Sequence, residues 1–491
     1  MKSSPSMQKV LYEELGSGVY TNFTVDRYNQ TVKEQISREK FRLGKLATFS
    51  ILTGFAFPYG PIVNTAFDAL LHSLKFSWLI QLPYFVVYNT GVRALSQDDL
   101  IIDVKKIIDR KEDISGKEII YTIVTRGLNI NSVEGSAKSV VYWTNRIREK
   151  YNLVLNSEVW VITEEDAYKN AVKRYDRLRE IGVKVFAVPS DYRTRNNTKF
   201  KARALNYATE LRRDFGLNTK NDWIYHQDEE TMVGEDTILG NLDFILNYGC
   251  KRVYGCGIIL YPQNWKNKVT FIGELARSSD DYRILSSVKI FDTAIFGYHG
   301  SHFMCRADAE QTVGWDFGEC KAEDLVFIIK MCERFKKAPA IMRGFAYEKP
   351  PFTVGDHLKQ RRRWFLGTFE FMKRDDIKLK YKIAPFYSLM SWFCAVPSLA
   401  ATILNILHPT GGVFGWSGAL TGFVWYSIFN IIRDGYSMHN LYLGNKPKKF
   451  DEKLKLISNA MLSILLESFA PWYALFKRTP SYEVIKKDGE N

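Results

Sequence analysis

The residues best suited to chemistry lie in Tyr225–Met232, Tyr-His-Gln-Asp-Glu-Glu-Thr-Met. Three consecutive acids repel one another, and that repulsion falls when a divalent cation lies among them. Carboxylate oxygens suit hard cations such as Mg²⁺ and Mn²⁺, which commonly bridge protein to a diphosphate. The preceding run Asp222-Trp223-Ile224-Tyr225 reads as a short buried strand. Its alternation predicts Asp228 and Glu230 on one side and Glu229 on the other. The expectation is a metal–diphosphate site on Asp228 and Glu230; the alternative is a solvated acidic turn.

Three further groups have the same double character. Val161-Ile162-Thr163-Glu164-Glu165-Asp166 is a strand ending in acids. A carboxylate there suits hydrogen bonds from a base or ribose, or forms an exposed loop. Glu323-Asp324 opens the helical run Leu325–Phe335 and offers a base, or merely favours the helix dipole. Gln360-Arg361-Arg362-Arg363-Trp364 fits a diphosphate clamp or a membrane-surface anchor.

The elements that must position these groups are legible in the hydrophobic pattern. Strand-like runs, Glu118–Val124, Val159–Thr163, Val183–Val188, Trp223–Gln227, Arg252–Leu260 and His302–Arg306, alternate with helical stretches such as Ala167–Glu180 and Lys201–Phe215. Residues 94–345 are therefore predicted to be α/β, a mainly parallel sheet with helices on both faces. Ligands in such sheets bind at the carboxyl ends of strands, where Glu164 and Asp228 fall.

The flanks read differently. Segment 1–45 is polar and ends in a basic run; Leu46–Phe67 is uncharged, and so is Phe76–Val92 after a short break, which predicts a membrane hairpin over 46–93. Residues 383–432 hold no Asp, Glu, Lys or Arg and turn at His408–Gly412, which predicts a second hairpin. Basic residues line both its feet, from the interfacial segment 346–382 and from 433–491, so the charge rule places the α/β unit in the cytoplasm. The final run Leu456–Phe476 is interrupted by Glu467 and Pro471 and leaves bending, re-entry and an interfacial position open. A multi-pass membrane protein is the expectation: in the ER or Golgi of a eukaryote, or the plasma membrane of a prokaryote.

With 68 Lys and Arg against 54 Asp and Glu, the 491-residue chain carries +14, which suits anionic membranes and anionic small substrates. No nucleic-acid-binding motif appears, so nucleic acid is not an expected partner. Six scattered cysteines include no C-x-x-C pair, which excludes the usual structural zinc patterns. The sequons at Asn22, Asn29 and Asn196 are expected to stay unglycosylated on the cytoplasmic side.

Asp228-Glu229-Glu230, Glu323-Asp324 and Gln360-x-x-Arg363-Trp364, in this order before an uncharged hairpin, resemble the membrane-bound inverting glycosyltransferases of family 2. Val124–Gly127, Lys201–Asn206, His226–Thr231, Gly300–His302, Ala322–Asp324 and Glu348–Thr353 extend the similarity to the Egghead-type β-1,4-mannosyltransferases. Two departures stand out: Glu230 fills the third position of the metal motif, and Glu164 replaces an aspartate.

The resemblance implies a GT-A-type (Rossmann-like) fold and a set of roles. Thr125, Arg126 and Glu164 would hold the nucleotide, and Lys201 the diphosphate or sugar. Asp228 and Glu230 would hold Mg²⁺ or Mn²⁺. Gly300 and Ser301 would line the acceptor path. Asp324 would be the general base, with Gln360, Arg363 and Trp364 closing over donor and acceptor. The implied reaction moves one sugar, mannose from GDP-mannose, onto a membrane glycolipid such as glucosylceramide. The rivals are a processive polysaccharide synthase using a UDP-sugar and a non-catalytic membrane scaffold with a degenerate fold.

Overall fold

The computed structural model describes residues 19–39, 42–56, 66, 73–74, 77–249, 251–262, 266–336, 339–407, 415–443 and 449–477. The strands are β1 (Glu118–Thr125), β2 (Asn156–Glu164), β3 (Lys184–Val188), β4 (Asp222–Asp228), β5 (Met232–Val233), β6 (Tyr254–Leu260), β7 (Phe303–Arg306) and β8 (Ala340–Tyr347). The longer helices are α1 (Val25–Glu39), α2 (Arg42–Ala56), α3 (Ser77–Ala94), α4 (Ile130–Tyr151), α5 (Phe200–Asp214), α6 (Glu235–Tyr248), α7 (Lys268–Phe291), α8 (Glu323–Phe335), α9 (Val354–Met372), α10 (Leu379–Phe393), α11 (Ala395–Leu407), α12 (Trp416–Leu443) and α13 (Phe450–Phe476).

The strands form one sheet in the order β3-β2-β1-β4-β7-β6-β8-β5. The first four are parallel, as their near-continuous apolar runs require: seven of the eight β1 residues and six of the seven β4 residues are buried. The other half corrects the mainly parallel expectation. β7 is antiparallel to both β4 and β6, β8 is parallel to β6, and β5 is antiparallel to β8, so the sheet is mixed. Reversal of β7 brings its start beside the end of β4, with Phe303 opposite His226. A parallel β7 would carry Gly300 to the far edge of the sheet. The pattern also missed β8 and the two-residue β5, the second too short to have a period.

That junction is held from behind by His302, a non-glycine residue at φ +52°. Its Nδ1 accepts from the Tyr225 hydroxyl at 2.7 Å and its Nε2 donates to Gly344 O at 3.0 Å. Burial pushes its pKa down to about 3, so the ring stays neutral. Gly257 makes room for it: a Cβ there would lie 2.1 Å from Nε2. Gly257→Ala is expected to destabilise the protein by about 1–3 kcal/mol, the usual range for overpacking, read as a lowered melting temperature.

The flanking helices pack on the sheet unit and on one another, and several charges in them prove internal. Arg42, expected at a basic foot, is buried and paired with Asp434. α2 and α12 approach closely at Gly422, where a Cβ would lie 1.9 Å from Thr53 Oγ1. Glu467, which interrupts the last apolar run, pairs with Arg361 at 2.7 Å and lies 3.0 Å from His357 Nε2. α13 is one continuous helix.

The first limb of the second predicted hairpin breaks between α10 and α11, which are bent by 46°. Pro397 has no N–H to give the Phe393 carbonyl four residues back; the Trp472 indole donates to that carbonyl instead, at 3.1 Å. Among the described residues no single helix is long and apolar enough to cross a membrane, while the bent pair Leu379–Phe393 and Ala395–Leu404 is, by length and composition. Pro58, Pro61 and the predicted turn His408–Gly412 lie outside the described residues. The Asn29 carboxamide exchanges two 2.9 Å hydrogen bonds with the Ile102 backbone, and Asn196 donates to Asp316 O at 2.9 Å, so both sequon side chains are engaged internally.

Candidate active site

The carboxyl ends of β1, β2 and β4 open on a 140 Å³ pocket. Register sets this up: Thr125 pairs with Thr163 and Val124 with Asp228, so Thr125, Glu164 and Asp228 end side by side. Lys201 enters from the first turn of α5, Gly300 from the approach to β7, and Asp324 from the first turn of α8. Gln360, Arg363 and Trp364 share a face of α9 at helical spacing. Arg126 and Glu230 complete this part of the lining. Ser301 does not line it: its buried hydroxyl lies 2.7 Å from that of Thr231 and accepts from Asp228 N, bracing the end of β4.

β4 stops at Asp228, and the next residues form a turn closed by Thr231 N donating to Asp228 O at 3.0 Å. The turn, rather than strand alternation, separates the three acids. Glu229 is drawn inward to Thr125 Oγ1 and Asn129 Nδ2. Burial, and next the charge of Glu230, pushes its pKa up to about 7. Thr125 is thereby engaged in holding Glu229 and, at 2.9 Å, Gly127 N. Glu164 is tied to Arg203.

Lys201 Nζ donates to Asp228 Oδ1 and to Gly300 O at 3.0 Å. Burial disfavours its charge, but Asp228, Glu323 and Asp324 outweigh that and raise its pKa. The group stays an ammonium, so the position between Asp228 and Asp324 is one where positive charge is stable. Gly300 lets the groups meet: a Cβ there would lie 3.0 Å from Lys201 Nζ and 3.2 Å from Asp324 Oδ2.

Of the adjacent acids, Asp324 accepts from Leu325 N at 2.9 Å, whereas Glu323 is buried. Burial, and next the Asp324 charge, pushes Glu323 up to about 7. As pH rises through that value Glu323 ionises and adds a negative charge beside Asp324. Turnover is expected to rise across that range in the native enzyme and to lose this inflection in Glu323→Gln, which a kcat–pH profile checks.

The three arginines of the α9 motif divide by helical geometry. Arg361 is buried on Glu274 (2.9 Å) and Glu467, and Arg362 donates to Lys477 O at 3.1 Å. Arg363 alone of the three lines the pocket. Two guanidinium groups approach the Trp364 ring, Arg277 at 4.6 Å and Arg361 at 4.4 Å from its centroid, each a cation–π contact.

Sequence reasoning missed several lining residues. Arg277 comes from α7 with no motif around it, and His299 is fixed by Asp281 at 2.7 Å. Phe200 is held at φ +59°. Glu348, which accepts from Thr231 Oγ1 at 2.9 Å, begins a segment already noted for its resemblance.

The only His/Cys/acid cluster with metal-ligand spacing among the described residues is His226, Cys305 and Glu310, behind β4. Both Glu310 oxygens already accept, from Arg212 at 2.6 Å and Trp315 Nε1 at 2.7 Å. Burial lowers the His226 pKa and raises that of Cys305, leaving a neutral ring and a thiol. With a guanidinium at its centre, this cluster is a structural brace. The carboxylates of the Asp228–Glu230 turn are all-oxygen donors beside a stable positive charge, and they fit a hard divalent cation.

Residues 223–442, from β4 to the end of α12, match the model of Glycosyl transferase family group 2. That match, over rather less than half of the chain, supports a glycosyltransferase related to this family group. Over a longer span it is similar to Beta-1,4-mannosyltransferase egh of Drosophila melanogaster, 27% identical over 431 residues that cover 85% of this chain and 88% of that one. It is also similar to Beta-1,4-mannosyltransferase bre-3 of Caenorhabditis elegans, 28% identical over 324 residues, 64% of this chain and 68% of the other. Among solved structures it resembles "Mannosyltransferase PcManGT from Pyrobaculum calidifontis in complex with GDP-Man and Mn2+", with TM-score 0.46 and 11% identity, covering 83% of this chain and 96% of that one.

Proposed function

We propose that the protein transfers one mannose from GDP-mannose to a hydroxyl of a membrane glycolipid such as glucosylceramide, with inversion. The observation that carries the chemistry is the pocket in which Asp228, Glu230, Lys201, Asp324, Gln360, Arg363 and Trp364 converge. The mannosyltransferase relatives favour mannose as the sugar.

Asp228 and Glu230 would hold Mg²⁺ or Mn²⁺, which when bound supplies charge neutralisation to the diphosphate. Arg126 and Glu164 sit where β1 and β2 end and face the nucleoside. Lys201 and Arg363 place positive charge at the departing diphosphate. Asp324 takes the proton from the acceptor hydroxyl as its oxygen bonds to the anomeric carbon. The carbon–oxygen bond to the diphosphate breaks on the opposite face, and its electron pair leaves with GDP. Attack opposite an α-linked leaving group gives a β-glycoside without a covalent enzyme intermediate.

Membrane embedding is part of this reading. Large exposed apolar side chains concentrate on the flanking helices: Ile51, Leu52 and Phe55 on α2, Ile383 and Phe386 on α10, Ile403 and Ile406 on α11, and Leu454, Leu462 and Phe469 on α13. Exposed apolar side chains of this kind fit lipid. In this reading the catalytic unit faces the cytoplasm, which the remaining basic residues of the flanks support.

The test is purified protein with a panel of labelled nucleotide sugars and lipid acceptors. One mannose added from GDP-mannose supports the proposal. A polymer from a UDP-sugar favours a polysaccharide synthase, and no turnover with any pair favours a scaffold.

A further inference from the structure

A second cavity, of 430 Å³, lies beneath Trp364 between α3, α7, α9, α10, α11, α12 and α13. That volume is within the usual range for small-molecule sites. The cavity is divided by chemistry. Its far end is walled by Leu389, Leu399, Val424, Ile428, Ile432 and Ile464. Its near end carries Arg277, Asp280, Arg283 and Arg361, and two residues, Arg277 and Trp364, line both this cavity and the donor pocket.

Most of the near-end charges are held in place. Arg283 pairs with Asp280 at 2.6 Å, and the Tyr84 hydroxyl donates to the same carboxylate at 2.7 Å. Arg361 spans Glu274 and Glu467. The apolar end is bounded by the same helices, α10 to α13, that expose apolar side chains outward.

We propose that this cavity is the acceptor subsite, in which the alkyl part of a glycolipid lies against Leu399, Ile428 and Ile464 while its sugar reaches past Trp364 and Arg277 to Asp324. The proposal rests on the glycolipid reading above and adds the place and the gate. The wall mixes Leu, Ile and Val with hydroxyls such as those of Ser391 and Ser398, which already donate to Gln81 and Ser77. An alkyl chain is the occupant that this wall rewards, since burying each methylene is favourable. Trp364, held by its contacts with Arg277 and Arg361 and lining both cavities, stands where the sugar would pass. Arg277 is then a positioning residue for the acceptor.

The experiment uses the full-length protein, the donor on which it turns over, and β-glucosides with methyl, octyl and dodecyl aglycones below their micellar concentrations. In the native enzyme kcat/KM is expected to rise roughly fourfold per methylene until the cavity is filled. Ile428→Trp and Leu399→Trp, distant from the chemistry, should abolish that gain, with melting temperatures near native showing the fold intact. A gain that survives both substitutions, or a native enzyme with no gain, overturns the subsite. Transfer to no glucoside, methyl included, overturns the glycolipid reading itself and the subsite with it.

A second measurement needs no variant: photolabelling of the native protein with an alkyl glucoside bearing a diazirine at the chain end. Labels on Leu399, Ile428 and Ile464 support the subsite. Labels confined to the outward residues Phe386, Ile403 and Phe429 overturn it.

Discussion

Asp324→Asn is expected to lower kcat by about 10²–10⁴, the range for loss of a general base, with donor affinity nearly intact. The substitution keeps the side chain's size and its hydrogen bond from Leu325 N and removes the atom that takes the proton. Donor affinity should survive because Asp228, Glu230 and Arg363 reach the pocket from other elements, the turn after β4 and the helix α9. Glu323→Gln, one residue earlier and buried, should be milder and act through the pH profile. Donor binding by calorimetry and turnover by product formation separate the two effects. An active Asp324→Asn enzyme, or one inactive only because it no longer binds donor, would assign the base to another residue.

Asp228→Asn should behave differently, with donor affinity and turnover falling together. The carboxylate pairs with the Lys201 ammonium and, in the proposed reading, would be one of two oxygen ligands at the end of β4. Its loss weakens the ion's hold on the diphosphate and leaves Lys201 poorly compensated. A loss of about 10²–10³ in kcat/KM matches removal of a principal electrostatic stabiliser. In the native enzyme a chelator should abolish activity, and added Mn²⁺ or Mg²⁺ should restore it. Full activity in chelator would remove the ion from the mechanism. A melting curve for Asp228→Asn checks that the lost activity is not lost fold.

The parallel half of the sheet was legible because its strands are apolar runs, three of the four ending in a polar residue: Glu118–Thr125 ends at Thr125, Asn156–Glu164 at Glu164, Asp222–Asp228 at Asp228. Strand ends and functional groups therefore coincide in the sequence. The antiparallel half was less legible, since period-two patterning carries no strand direction, and a two-residue β5 carries no pattern. Pocket residues on a motif, such as Asp324 and Arg363, could be named through the family resemblance that those motifs carry. Arg277 could not, because its place depends on α7 passing beneath α9, a long-range packing that no local signal encodes. Glu467 was misleading for the same reason: a carboxylate in an apolar run signals an interruption until Arg361, over a hundred residues earlier, is seen beside it. Both acids of the helix start line the pocket, and burial distinguishes Glu323 from Asp324, which the resemblance had named as base.

The most direct test of the central claim is the anomeric configuration and length of the product that the purified protein forms from α-linked GDP-mannose and a glucoside lipid, read by nuclear magnetic resonance and mass spectrometry. A single mannose in β linkage is the expected result. An α linkage would contradict direct displacement assisted by Asp324, and a product of many sugars would contradict single transfer.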